Sequence, residues 1–398
     1  MMTSCATWLA VLSAMLLASG CAGLGGAGTG GHRYVEVARL GARSEWRFTP
    51  VLTDLNGDGH LDLAVTKRGL PPSLHVWLGD GRGGFSPVKP TWGEIGYGAI
   101  TYGDVNGDGR PDLAVAGHFA KVQTLINQGD GRFTDSVLTG EDGYTAVQLA
   151  DLDRDGRPEL LVLGHATAGL EIYRGDGAGG WVLSRRIPEE RRRTLIGRAL
   201  AVVDVNHDGN LDVVVAFQRL GVGIFYGDGN GGLKGGRVDA IESSTGEFEA
   251  LVVADVNKDG HIDIVVNGAS VRSGPEGPDV YLGDGRGGWK ASSAGLKAVK
   301  AAMAGLAVGD VDGDGHVDIL AGGLARGEGD EGYGVFLFRG DGKGGWRFVK
   351  NSGLPDRGLA QIEGIALGDL DGDGRPEIVV TSGMYPGGGA ITIWKQQR

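Results

Sequence analysis

The sequence predicts an all-β fold, a seven-bladed β-propeller of four-stranded antiparallel blades, on three observations. Glycine fills 77 of the 398 positions, and since each glycine inside a helix costs roughly 1 kcal/mol relative to alanine, long helices are disfavoured. A nine-residue acidic motif, Asp-x-Asn/Asp-x-Asp-Gly-x-x-Asp/Glu, starts at Asp54, Asp104, Asp151, Asp204, Asp255, Asp310 and Asp369, at intervals of 50, 47, 53, 51, 55 and 59 residues. An apolar run of strand length flanks each copy on both sides, as Ala199–Val203 and Val213–Ala216 do around the fourth. Self-similar units of about 50 residues, each with room for four short strands, are the pattern of propeller blades. Collagen is excluded, because there are only 13 prolines and no Gly-X-Y period.

From the N-terminus, Thr7–Ala18 is an uncharged apolar run of signal-peptide length, too short to span a bilayer stably. It ends in Leu17-Ala18-Ser19-Gly20-Cys21, which resembles a bacterial lipoprotein box with Cys21 as the lipidated residue. The expected division is residues 1–20 as signal peptide, 21–31 as a Gly-rich tether and 32–398 as the propeller. The expected location is the outer membrane or cell surface, with a lipid anchor on Cys21, or alternatively a secreted or periplasmic form. Cys5 and Cys21 are the only cysteines, so the folded part has neither disulfides nor cysteine chemistry.

Within each repeat the elements follow one order. The first strand carries a small residue five positions before the motif (Thr49, Ala99, Ala146, Ala199, Ala250, Gly305, Gly364) and mostly a large apolar one next (Pro50, Ile100, Val147, Leu200, Leu251, Leu306, Ile365). Innermost strands crowd together, so a small face against a neighbour's large face is expected from close packing. The acidic loop and the second strand follow. A third strand such as Leu74–Leu78 leads into a Gly-Asp-Gly turn, as in Gly79-Asp80-Gly81, and Phe85 opens the fourth strand. Counterparts of Phe85 are Phe133, Trp181, Leu233, Trp289 and Trp346. The seventh repeat stops at Ile391-Thr392-Ile393-Trp394, without that turn or fourth strand. Its missing piece matches the other end of the chain, where Gly30-Gly31-His32-Arg33-Tyr34-Val35 parallels Gly344-Gly345-Trp346-Arg347-Phe348-Val349. The N-terminal strand, near Tyr34–Leu40, is therefore expected to complete the last blade.

The loops carry the clearest chemistry. Positions 1, 3, 5 and 9 supply oxygen ligands, and an invariant Gly at position 6 permits the sharp turn that a hard cation with six to eight oxygens needs. The candidate metal residues are Asp54, Asn56, Asp58 and Asp62 in loop one, and Asp104, Asn106, Asp108 and Asp112 in loop two. Loop three has Asp151, Asp153, Asp155 and Glu159; loop four has Asp204, Asn206, Asp208 and Asp212. Loop five has Asp255, Asn257, Asp259 and Asp263; loop six has Asp310, Asp312, Asp314 and Asp318; loop seven has Asp369, Asp371, Asp373 and Glu377. An EF-hand is excluded, because the closing carboxylate stands at position 9 and strands flank the loop. The loops hold 24 of the 50 acidic residues, and seven bound Ca²⁺ would move the formal charge from −12 to +2. That acidity also argues against a nucleic-acid partner.

The motif and its setting resemble the FG-GAP/VCBS repeat family, the propeller type of integrin alpha-subunit heads and many bacterial surface proteins, over about residues 32–398. The resemblance implies up to seven Ca²⁺ in the loops between first and second strands, and a ligand on the opposite face. Aromatic residues expected on that face are Trp46, Trp92, Tyr97, Tyr144, Phe248, Tyr333 and Tyr385, with Arg193 beside them in an otherwise charged loop. Trp92, Tyr97, Tyr144, Arg193 and Tyr333 are the ligand-face candidates. Four histidines (His60, His207, His261, His316) sit within the acidic loops, and no nucleophile elbow, zinc-type spacing or phosphate loop appears. The expected function is thus a non-enzymatic protein-binding or adhesion module. A lectin-like carbohydrate binder is the first alternative, and a polysaccharide-degrading enzyme the second.

Overall fold

A computed structural model describes residues 33–397 apart from 94–95, 138–142, 165–168, 189–196, 218–220, 238–240, 242–246, 270–276, 298–300, 325–331 and 384–387. The expected signal segment and tether, Cys21, Arg193 and Tyr385 lie outside the described residues.

The described residues form antiparallel strands and no α-helix. The longest strand, β1 (Tyr34–Thr53), is followed by β2 (Asp62–Arg68), β3 (Leu74–Gly79) and β4 (Phe85–Pro87). Next come β5 (Gly98–Gly103), β6 (Asp112–Gly117), β7 (Val122–Gly129) and β8 (Arg132–Val137), then β9 (Tyr144–Ala150), β10 (Glu159–Gly164), β11 (Gly169–Gly175) and β12 (Trp181–Pro188). β13 (Gly197–Val203), β14 (Asp212–Phe217), β15 (Gly221–Gly227) and β16 (Leu233–Arg237) precede β17 (Glu247–Ala254), β18 (Asp263–Ala269), β19 (Asp279–Gly283) and β20 (Trp289–Ala291). The chain ends with β21 (Ala301–Gly309), β22 (Asp318–Leu324), β23 (Tyr333–Gly340) and β24 (Trp346–Phe348), then β25 (Ile362–Gly368), β26 (Glu377–Ser382) and β27 (Gly389–Gln396).

Strands β5 to β24 form four-stranded meanders in chain order, as in propeller blades. The remaining strands share one sheet, ordered β25-β26-β27-β1-β2-β3-β4. Strand β1 is divided between two partners: Tyr34 to Ser44 pairs with β27, and Glu45 to Thr53 pairs with β2.

Second strands read as unbroken apolar runs because both their faces are covered; β6 and β10 are buried along their whole length. The cores lie between consecutive four-stranded units or, in the seven-stranded sheet, between its two halves. Ala64 and Val76 pack with Leu113, Val115 and Leu125, and Leu320 and Leu337 with Ile365, Ile378 and Val380. Leu63 and Val65 of β2 share a core with Val379, Ile391 and Ile393. The first strands β1, β5, β9, β13, β17, β21 and β25 each touch the next, and β25 touches β1.

The small positions of the first strands are where neighbours approach. A Cβ on Gly305 would stand 2.6 Å from Ile362 Cγ2, and one on Gly364 2.4 Å from the Thr49 Cα. Polar side chains stitch the same seam. Thr66 Oγ1 donates to the Gly98 carbonyl (2.7 Å), Thr145 Oγ1 to Gly197 (2.6 Å) and Thr381 Oγ1 to Phe48 (2.8 Å).

Candidate metal loops and the opposite face

Each acidic loop joins a first strand to a second, so the turn is built where two antiparallel strands must reverse. Its position 6 glycine has φ between 82° and 88° in every copy, a left-handed backbone that glycine adopts without steric cost. Position 4 is left-handed as well: four loops place glycine there, but Arg154, His207 and Lys258 take φ of 60°, 57° and 59°. Position 2 holds Leu55, Val105, Leu152, Val205, Val256, Val311 or Leu370, all buried as apolar anchors. Sequence reasoning missed both features, although position 2 is apolar in every copy.

The loop carboxylates are satisfied largely by backbone donors. Asp54 Oδ1 accepts from the Gly57 and Asp58 N–H groups (2.7 and 3.2 Å), and its Oδ2 from Gly59 (2.8 Å). Asp58 accepts from the His60 N–H at 2.9 Å, and Asn56 Nδ2 donates to Asp58 at 3.0 Å. The position 9 carboxylate faces inward. Asp62 is fully buried and accepts from Leu55 N–H (2.7 Å) and Gly79 N–H (2.8 Å). Asp112 repeats this with Val105 (2.9 Å) and Asn127 (2.7 Å), and Asp263 with Val256 (2.8 Å) and Gly283 (2.9 Å). The closing carboxylate thus ties the loop to the end of the third strand, a structural task beyond metal ligation.

Burial sets the electrostatics of these groups. It pushes the carboxyls of Asp62, Asp112 and Asp263 up to about 6, and those of Glu159 and Asp318 up to about 7, against the downward pull of the N–H bonds. Such carboxylates favour a neutralising partner.

The candidate ligands at positions 1, 3, 5 and 9 offer only carboxylate and amide oxygens, a donor set suited to a hard cation such as Ca²⁺. In loops three, six and seven, where position 3 is Asp rather than Asn, the carboxylates of positions 1, 3 and 9 lie within 4.8 Å of one another. A basic side chain from the end of the third strand stands among them. Arg174 pairs with Asp153 and lies 3.8 Å from Glu159; Arg339 lies 2.6 Å from Asp312. Lys395 pairs with Asp371 and lies 3.0 Å from Asp373 and 3.4 Å from Glu377. Aligning the repeats on Gly-Asp-Gly would have exposed these residues, since Arg174 and Arg339 each precede that turn.

Neighbouring loops also touch. The Arg154 guanidinium donates to the Gly209 carbonyl and to Asn210 Oδ1 (2.7 Å), the His207 ring lies 5.7 Å from His261, and Lys258 Nζ donates to the Gly315 carbonyl. These are the non-glycine residues of position 4, each reaching sideways to the next loop.

The opposite face is made by the starts of first strands and the ends of second strands. There the Tyr97 ring lies 5.7 Å from His118 and 6.4 Å from Phe119, and Phe48 lies 6.3 Å from His118. Phe119 is 68% exposed. Arg47, 5.9 Å from the Phe48 ring, pairs with Glu363 at 3.2 Å, and at the starts of β13 and β17 Arg198 pairs with Glu249 at 3.5 Å. Burial pushes the Glu363 carboxyl up to about 7, against the attraction of Arg47.

Several expected ligand-face residues stand elsewhere. Trp92 is 7% exposed and packs edge-on against Phe133 at 5.5 Å in the core between β2–β3 and β6–β7. Tyr144 is 1% exposed and donates to Glu171 (3.3 Å), which Tyr173 and Arg186 also contact. Trp46 and Phe248 are buried as well. These aromatics fill volume between sheets, so the reading of them as ligand-face residues is corrected. Tyr333 is half-buried against the core shared by β22 and β26, and Tyr97, itself half-buried, is the candidate that joins the cluster around the exposed Phe119.

Four-stranded meanders with repeated oxygen-rich loops define a propeller-type repeat protein. A family model described as FG-GAP-like repeat matches residues 54–115, 104–162, 204–266 and 324–380, and the chain belongs to that family. Two crystal structures of BBS1N in complex with ARL6DN, one soaked with lead and one with mercury, share the fold. They match with TM-scores of 0.55 and 0.57 and identities of 15% and 14%, covering 92% of this chain and 97% of that chain. The chain is an FG-GAP repeat β-propeller protein. No curated protein sequence matches it.

Proposed function

We propose that the chain is an exported, calcium-loaded, seven-bladed propeller that serves as a non-catalytic protein-binding module. Closure into seven blades is supported by the divided strand β1, by the contact of β25 with β1 and by the Thr381–Phe48 hydrogen bond across that seam. The oxygen ligands at positions 1, 3, 5 and 9 would hold the ion, whose chemistry here is to neutralise clustered carboxylates and hold the turns.

The observation that carries the binding role is the cluster of Phe48, Tyr97, His118 and Phe119 opposite the acidic loops. An exposed Phe119 on a half-buried aromatic cluster beside paired charges suits an interaction site, and BBS1N, which shares the fold, is seen in complex with ARL6DN. The N-terminal apolar run and Cys21 support export and lipid anchoring.

The experiment is a comparative pull-down with calcium-loaded protein, run beside a glycan array. Phe119→Ser and Tyr97→Ala are expected to lose the protein captured by the native chain while melting unchanged, and His60→Ala is expected to retain it. Loss with His60→Ala alone would place the site on the acidic face. Glycan binding that is lost with Phe119→Ser would favour a lectin.

A further inference from the structure

The seven loops fall into two chemical classes. Loops one, two, four and five have Asn56, Asn106, Asn206 and Asn257 at position 3, and the residue at the end of the facing third strand is Leu78, Ile126, Tyr226 or Leu282. Loops three, six and seven have Asp153, Asp312 and Asp371 there, and the facing residue is Arg174, Arg339 or Lys395. The register is common to all seven, since the residue after position 9 pairs in each with the one before this third-strand position, as Leu63 with Trp77, Leu160 with Tyr173 and Ile378 with Trp394; in five loops the next residue, Gly79, Asn127, Gly227, Gly283 or Gly340, donates its N–H to the position 9 carboxylate. The added carboxylate and the added cation occur together or not at all. By charge, the two changes cancel.

The location of the cation decides what the exchange does. Lys395 Nζ reaches the carboxylates of positions 3, 5 and 9 of loop seven together, and Arg174 reaches positions 3 and 9 of loop three. These oxygens are the ligands that would hold the metal. A side-chain cation among them neutralises the cluster and opposes a divalent ion by its own charge, without an ion-binding step.

We propose that loops three, six and seven are closed by the chain's own Arg174, Arg339 and Lys395 and bind no calcium, so that the folded chain takes four ions, in loops one, two, four and five. This rests on the calcium reading above, and ion counting separates the two. Full-length folded protein is stripped with chelator, reloaded with CaCl₂ and counted by native mass spectrometry. Four ions are expected. Seven would overturn this inference and leave the calcium reading standing, whereas none in a folded chain would overturn both.

Two variants test individual loops. Asp312→Asn combined with Arg339→Leu rebuilds the pattern of loop five, where Asn257 faces Leu282, and is expected to raise the count to five. Lys395→Leu is expected to open loop seven in the same way, with circular dichroism confirming the fold. An unchanged count in both folded variants would show that the basic residues do not govern occupancy.

Discussion

Asp112 shows how one residue can serve two tasks. Its carboxylate accepts two buried N–H groups, so Asp112→Ala would orphan both donors at about 1–3 kcal/mol each. Denaturant unfolding in chelator should register that loss with no metal present; a change within about 0.5 kcal/mol, the scatter of ordinary surface substitutions, would refute the clamp. The raised position 9 carboxyls also set a pH dependence. The unfolded chain ionises these groups first, so the metal-free protein loses stability as pH rises from about 4 to about 7. Asp58, held below its ordinary range by the His60 N–H, acts in the opposite sense but is exposed, so solvent screens its effect. Melting in chelator should therefore be lower at pH 7.5 than at pH 5, with calcium raising the value at pH 7.5. A chelator melt that rises with pH would contradict this.

Among the elements, β1 has the most unusual task. Its first half covers the edge of β27 and its second half opens the next meander. Tyr34 carries the first half into the core, where its hydroxyl donates to the Val311 carbonyl at 2.7 Å. Removing residues 33–40 would uncover β27 along its pairing edge and is expected to lower the melting temperature sharply, whereas removing residues 22–30 should leave it unchanged. Equal melts for the two truncations would refute the role of β1. Tyr34→Phe, which loses one buried hydrogen bond, is expected to cost about 1 kcal/mol by denaturant unfolding.

Across the whole molecule, calcium that bound only the folded chain would stabilise it by about 2.7 kcal/mol per site at a hundred times the dissociation constant. Chelation should therefore lower the melting temperature of the native chain, and an unchanged melt with no calcium by elemental analysis would overturn the metal reading. The repeated loops, the strands beside them and the split of the last sheet between the two chain ends are all local or repetitive features, and sequence alone determined them. Periodicity of apolar residues specifies strands, and one motif copied seven times reports one turn geometry. The destinations of Trp92 and Tyr144 were decided by tertiary structure, because an aromatic residue in a connection has the same local sequence whether it caps a core or faces solvent. The entry of Arg174, Arg339 and Lys395 into acidic loops more than twenty residues away was likewise decided there, since it depends on how far the third strand runs against the second. Contacts across strands arise from register and packing, which no single segment encodes.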